Sequence, residues 1–329
     1  MSHTTRGSVM LDRRQLLTGV VASLLGSLVL PRRSTARARA AQQTGLLALT
    51  DRLVLVTSGG TNVLAFASSD GLVLVDSGAP DRSDALMASL QTLMPGDLRL
   101  RQGPGGHGVT TLFNTHWHAE NTGANQIFRQ NGAAIVAHEN TRLWMATPTW
   151  MPDEDRYRPP RTKEAQPDKT FYADGAMTAG NERIEYGYLI EAHTSGDIYV
   201  FFPRSNVLVV GDVASPARDP ELDYLTGAWI GGRVDAMDRL LKLADANTRI
   251  VPGFGPVMTR AELQVERDVM KTIYDRTVDR VREGDYVEDM LKAGVMNGLA
   301  RTWKDPKKFL HDLHKGLWAH HNKLDANVV

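Results

Sequence analysis

Four strand-like runs in this chain end on residues able to do chemistry, and this recurrence constrains the fold more than any other feature. Gly71 to Val75 runs into Asp76-Ser77-Gly78. Val109 to Phe113 runs into Asn114, Thr115 and then His116-Trp117-His118-Ala119-Glu120-Asn121. Ile184 to Ile190 leads to Glu191-Ala192-His193-Thr194-Ser195-Gly196-Asp197, and Val207 to Val210 leads to Gly211-Asp212. Short apolar runs bounded by turn residues read as buried strands. Leu53–Thr57, Asn62–Ala67, Ala134–Ala137, Ile198–Phe202 and Arg249–Val251 read as further strands. Arg82–Met94, Gly123–Arg129 and Asp235–Ala246 have helical spacing, and the chain from Arg260 onward is mostly helical. Strands interleaved with helices predict a layered α/β protein, with its site beyond the carboxyl ends of the strands.

Charge and composition narrow the function. The formal charge of the chain is zero, but residues 1–40 hold seven arginines and one acid, so the remainder carries 31 basic and 37 acidic residues. A mildly acidic body is a poor match for a nucleic-acid backbone. Arg13-Arg14, an apolar stretch to Leu30 and an Ala38-Arg39-Ala40 pattern read as a twin-arginine export signal. The stretch contains Gly19 and Gly26 and is short for a spanning helix, so it is either cleaved or kept as an anchor. Either way the expected location is periplasmic or secreted, with membrane contact only through the signal. The chain has no cysteine. That excludes disulfides and thiolate metal sites, leaving His, Asp, Glu and backbone as ligands.

His116 and His118 are two residues apart at a strand end, where both imidazoles can reach one ion. His193 and Asp212 stand at the ends of two further strands. The ordered segments HWHAEN, AHTSGD, VLVVGD and VPGFGP together resemble the metallo-β-lactamase superfamily across roughly residues 50–265, and Gly71–Gly78 resembles that family's early strand. The resemblance implies a four-layer αβ/βα sandwich with a metal site at one edge. It also implies His116, His118 and His193 as ligands of one ion, and Asp212 as the carboxylate that often bridges two.

The second metal site departs from the family pattern. The family has an aspartate at position 120, a histidine at 121 and a histidine at 254; this chain has Glu120, Asn121 and Phe254. A second ion would be left with oxygen donors and no imidazole. Three histidines alone make a catalytic zinc site with an open fourth position. One ion is therefore expected, zinc first, with iron or manganese as alternatives. Asp212 would be its fourth ligand or a hydrogen-bond acceptor beside it. Three-histidine zinc can lower the pKa of bound water to near 7, which suits attack on an ester, lactone, amide or β-lactam carbonyl of a small-molecule substrate. Glu120 is the expected general base or proton shuttle, and Asn121 the expected substrate-orienting or oxyanion group. Asp76 would either accept from a ligating imidazole or cap a turn, and Asp197 would support its loop. The rival reading is a binding or maturation protein that keeps the fold without efficient catalysis.

The expected organisation is a signal at 1–40, the sandwich domain at 41–265 and a helical extension at 266–329 that is either a pocket wall or an oligomer surface. A proline-rich insertion at about 144–174 is either a lid or a linker. Its Trp144, Trp150, Tyr157 and Tyr172 either line a pocket or fasten the loop. Trp117 should point away from the metal into packing. His138, His311, His314, His320 and His321 read as ordinary surface residues, and His107 is unassigned.

Overall fold

The computed structural model describes residues 44–93, 108–151 and 155–324. The export signal and His107 lie outside them. Seven strands form the first sheet: β1 (Thr44–Ala48), β2 (Leu53–Ser58), β3 (Thr61–Ser68), β4 (Gly71–Val75), β5 (Val109–Phe113), β6 (Ala134–His138) and β9 (Lys169–Phe171), in that order. The second sheet runs β10 (Asp174–Ala179), β11 (Glu182–Tyr188), β12 (Ile198–Phe202), β13 (Val207–Gly211) and β14 (Arg249–Pro252). A small hairpin pairs β7 (Thr149–Met151) with β8 (Arg156–Arg158).

Strands β4 and β13 are buried at every position because both of their faces are covered. Val73 and Val75 of β4 face inward, with Phe66 and Phe113, onto Ile198, Val200, Phe202, Val207 and Val209 of the second sheet. Leu72 and Leu74, one residue out of phase, pack outward with Leu86, Leu90 and Phe128. These belong to α1 (Ser83–Leu93) and α3 (Asn125–Gln130). On the far side Leu208, Val210 and Ile250 pack onto α5 (Ile230–Leu243), α6 (Arg260–Glu283) and α8 (Pro306–Leu324). Helix, sheet, sheet, helix is the four-layer sandwich that the motifs imply.

Register brings the strand ends together. β4 and β5 are parallel, with Val75 opposite Phe113, so Asp76 and the His116 segment leave the same edge. β13 and β14 are parallel, with Gly211 opposite Pro252, so Asp212 emerges beside Gly253.

Three elements differ from the sequence reading. The region 144–174 holds regular structure that the sequence reading left out, and its hairpin lines the cavity at His118. Helix α4 (Glu139–Ala146) runs into it, β7 and β8 form a hairpin within it, and β9 then adds to the edge of the first sheet. Its prolines hid these pieces because each is only a few residues long. Helix α5 begins at Ile230 rather than Asp235 because Gly231 and Gly232 suppress the helical signal. Gly232 is required there: a Cβ would lie 2.5 Å from the Glu191 carbonyl. Strands β1 and β10 were not legible, since both are edges with mixed composition. Among the described residues no helix is long and apolar enough to cross a membrane.

Candidate metal centre

The three histidines converge. Among the described residues, His116, His118 and His193 form a cluster whose ligand atoms all lie within 4.8 Å of one another. The ring centroids are 4.7 to 4.9 Å apart, each pair nearly perpendicular. Rings that meet edge to face aim their nitrogens at a common point instead of stacking.

The outer nitrogens are each tied down, which selects the inner ones. His193 Nδ1 donates to the Glu221 carbonyl at 2.9 Å, leaving Nε2 for the interior. His118 Nε2 meets Asp223 Oδ2 at 3.0 Å, which turns Nδ1 inward. His116 Nδ1 lies 3.1 Å from Thr115 Oγ1. That hydroxyl gives its one proton to Asp76 Oδ2 at 2.7 Å, so the imidazole is the donor to Thr115. His116 Nε2 is then a buried lone pair with no hydrogen-bond partner. A buried unpartnered acceptor costs roughly 1–3 kcal/mol and calls for an explanation. A cation at the centre of the triad supplies one, so the donor set fits a metal ion: three imidazole nitrogens of the kind zinc takes.

Charge fits as well. Burial, and then the charges of neighbouring groups, hold His116 and His193 well below the ordinary imidazole range. Burial also lowers His118, but the hydrogen bond and charge of Asp223 outweigh it and hold the group at about 9. Its Nδ1 faces His193 Nε2 at 3.1 Å. A metal held by both nitrogens would take the place of any proton between them.

Asp76 touches no imidazole and bonds to no group of its own turn, so neither role expected for it holds. It accepts from the Thr115 backbone at 2.8 Å, from the Thr115 hydroxyl and from Asn121 Nδ2 at 3.0 Å. It orients His116 one atom removed, through Thr115. Burial pushes its carboxyl up to about 7, against those three bonds. Its φ of 65° is left-handed, a conformation that costs a non-glycine residue roughly 1–2 kcal/mol. Asn121 is 1% exposed and turned inward, with Nδ2 engaged by Asp76 and Oδ1 unpartnered. Asp197 supports its loop as expected, accepting from the backbones of His193 and Thr194 at 2.6 and 2.7 Å.

Asp212 lies beside the triad rather than within it. Its Oδ2 is 3.9 Å from His193 Nε2 and is ion-paired with Arg218 Nη2. Burial raises its pKa, against the pull of Arg218. Phe254 sits across from that pair, with its ring centre 5.0 Å from the Arg218 guanidinium carbon. Glu120 opens α2 (Ala119–Thr122) and is partly exposed. It lines a cavity of about 520 Å³ with Trp117, His118, Arg158, Leu222 and Tyr224, so it stands at the mouth of the triad. A second cavity of about 610 Å³ meets the same region through Arg218.

Several functional residues gave no sequence signal. Arg218, Glu221 and Asp223 lie between β13 and α5, in a segment with no period to read. Arg233 is fully buried in α5; it donates to the Glu221 and Asp212 carbonyls at 3.0 and 2.9 Å and so shapes the segment that orients His193. A charged residue inside a helical apolar pattern was the only available hint.

The aromatic expectations divide. Trp117 is 4% exposed, but it packs at the site rather than away from it: its ring lies 4.6 Å from that of His118 and lines the cavity there, with the Arg158 guanidinium 3.9 Å from its ring. Trp144 donates to Ser195 Oγ at 2.8 Å and so fastens the His193 loop. Trp150 and Tyr157 pack on each other across the hairpin, and Tyr172 is exposed. His138 is not a surface residue: it is 3% exposed, stacks on Tyr188 at 3.8 Å and caps α4. His320 stacks on Trp229 at 3.5 Å and His314 on Tyr286, so these two are packing groups as well. His311 lines the cavity at the triad.

Known proteins agree with this geometry. The family model of the metallo-beta-lactamase superfamily matches residues 56–283. A metallo-beta-lactamase type 2 from Bacillus cereus is 25% identical over 163 residues, 50% of this chain and 58% of the relative. The chain therefore spans less than two thirds of that relative's length. A metallo-beta-lactamase structure from Pontibacter korlensis is 20% identical, with a TM-score of 0.55, covering 70% of this chain and 99% of its own. The DIM-1 metallo-beta-lactamase is 18% identical, with a TM-score of 0.53, covering 70% and 98%. These structural likenesses speak for the fold, and the family match together with the histidine cluster gives the family. The chain belongs to the metallo-β-lactamase superfamily.

Proposed function

We propose that the protein is a metal-dependent hydrolase that works with one divalent ion, zinc in the first instance, held by His116, His118 and His193. The observation that carries this reading is the inward convergence of three imidazoles whose outer nitrogens are all engaged, with His116 Nε2 buried and unpartnered. When bound, such an ion supplies Lewis acidity and a water of lowered pKa. Thr115, Asp223 and the Glu221 carbonyl hold the imidazole tautomers and orientations, and partners of this kind typically contribute ~10–100-fold in metal affinity. Glu120, at the mouth of the triad, accepts or delivers the proton as a carbonyl is attacked and its leaving group departs. Asn121 acts in this reading by holding Asp76, and through it the Thr115–His116 pair, rather than by contacting substrate.

Trp117, Met151, Leu222 and Leu225 make the cavity wall partly apolar, while Arg158 and Lys308 on one hand and Glu120, Asp223, Asp305 and Asp312 on the other place charges of both signs on it. An ester, lactone or amide with an apolar body fits that lining. A β-lactam is the substrate class suggested by the names of the relatives. The export reading of residues 1–40 adds a periplasmic or secreted location to this proposal. The test is a panel of esters, lactones, amides and β-lactams run on the zinc-loaded protein and on His118→Ala. Turnover of at least one substrate class, lost in the variant, is the expected result. A loaded protein inert toward the whole panel would favour a non-catalytic binding role.

A further inference from the structure

The positions that would serve a second metal ion carry other contacts in this chain, with Asn121 Oδ1 left unpartnered. Asn121 Nδ2 donates to Asp76. Phe254 offers no lone pair, and its ring fills the space above the β2–β3 turn: a Cβ on Gly60 would lie 2.2 Å from Phe254 Cε2. Glu120 lines the cavity at His118. Asp212 is 3% exposed and needs a counter-charge, and Arg218 supplies it at Oδ2. That oxygen is also the one nearest the triad, 3.9 Å from His193 Nε2.

Arg218 is fixed from two further sides. The Phe254 ring lies 5.0 Å from its guanidinium carbon, within cation–π range. Its backbone carbonyl accepts from Arg301, which also donates to the Ser215 carbonyl at 2.6 Å. A guanidinium stays charged at any working pH. The aromatic residue that stands where the family has a ligand therefore holds the cation that neutralises the bridging carboxylate.

We propose that Arg218 stands in for the second metal cation, and that Arg218, more than the missing histidines, limits this chain to one ion. The inference rests on the single-metal reading above. It changes what restoring the family ligands would do. A second ion would draw on the negative charge of the Asp212 carboxylate, and the Arg218 guanidinium already neutralises that charge at Oδ2. Histidines returned to positions 121 and 254 are then not enough.

The experiment measures ions per chain by elemental analysis after equilibration at fixed micromolar free zinc. It compares Asn121→His/Phe254→His with the same pair plus Arg218→Ala. The pair should hold no more zinc than the wild type, and the triple variant should hold about one ion more. An increment of one ion already in the pair, with Arg218 in place, would overturn the proposal. So would no increment in the triple variant while circular dichroism shows it folded. If the alanine form does not fold, Arg218→Gln in the same background decides the matter by the same increment. Arg218→Lys, which keeps the charge, should match the wild type. The increment is readable whatever the wild type holds, whereas a wild type without metal sinks the hydrolase reading itself.

Discussion

At the scale of single residues, the site is a set of imidazoles whose outward bonds decide their inward chemistry. Asp223 does most for His118, meeting Nε2 at 3.0 Å and raising the group to about 9 despite burial. Asp223→Ala should therefore weaken zinc binding by ~10–100-fold without removing a ligand. Competition with a chelator of known affinity measures this, and an unchanged constant would show that Asp223 does not orient the ring. The ligands themselves were legible in the sequence because each follows a strand-like run, so local pattern and chemical type agree. Asp223, Arg218 and Thr115 were not legible as site residues. Their roles come from contacts across as many as 105 positions, as between His118 and Asp223. No period in an irregular segment encodes such a contact. Asp76 took neither role read for it, for the same reason: its place at the strand end is local, but its partners are Thr115 and Asn121, not an imidazole or its own turn.

At the scale of elements, the metal centre depends on parts that look remote from it. Helix α5 sends Arg233 through the core to the carbonyls of Asp212 and Glu221 and to Ser215 Oγ. Glu266 of α6 accepts from the Ser215 backbone at 2.8 Å, and Arg301 reaches the same residue's carbonyl. Two arginines and a glutamate thus hold the segment that carries Asp212, Arg218 and Asp223. Removing one member of such a buried charged group leaves its partners unpaired, at a cost of about 3–5 kcal/mol. Arg233→Met should show that loss in urea unfolding, along with weaker zinc binding, although Arg233 touches no imidazole. A variant as stable as the wild type would mean that the network contributes little. The helices from Arg260 onward were read as either an oligomer surface or a pocket wall. Asp305, Lys308, His311 and Asp312 do line the cavity at His118, while Phe309, Leu310, Leu313 and Leu317 belong to the same core as α5.

At the scale of the whole molecule, two sheets bury one another and so place their strand ends on a common edge. β4 and β5 bring Asp76 and His116 to it from the first sheet; β11 and β13 bring His193 and Asp212 from the second. The layered architecture was legible because runs such as Leu72–Val75 and Val207–Val210 are apolar on both faces, as in a sheet covered on both sides. The passage from 144 to 174 was not, because short strands among prolines carry no period. The central claim is that this edge holds one catalytic ion on three histidines. Elemental analysis of the full-length protein, purified without chelator and equilibrated with zinc, tests it most directly. The account predicts close to one ion per chain, falling to near zero in His118→Ala. Two ions per wild-type chain, or none, would contradict it.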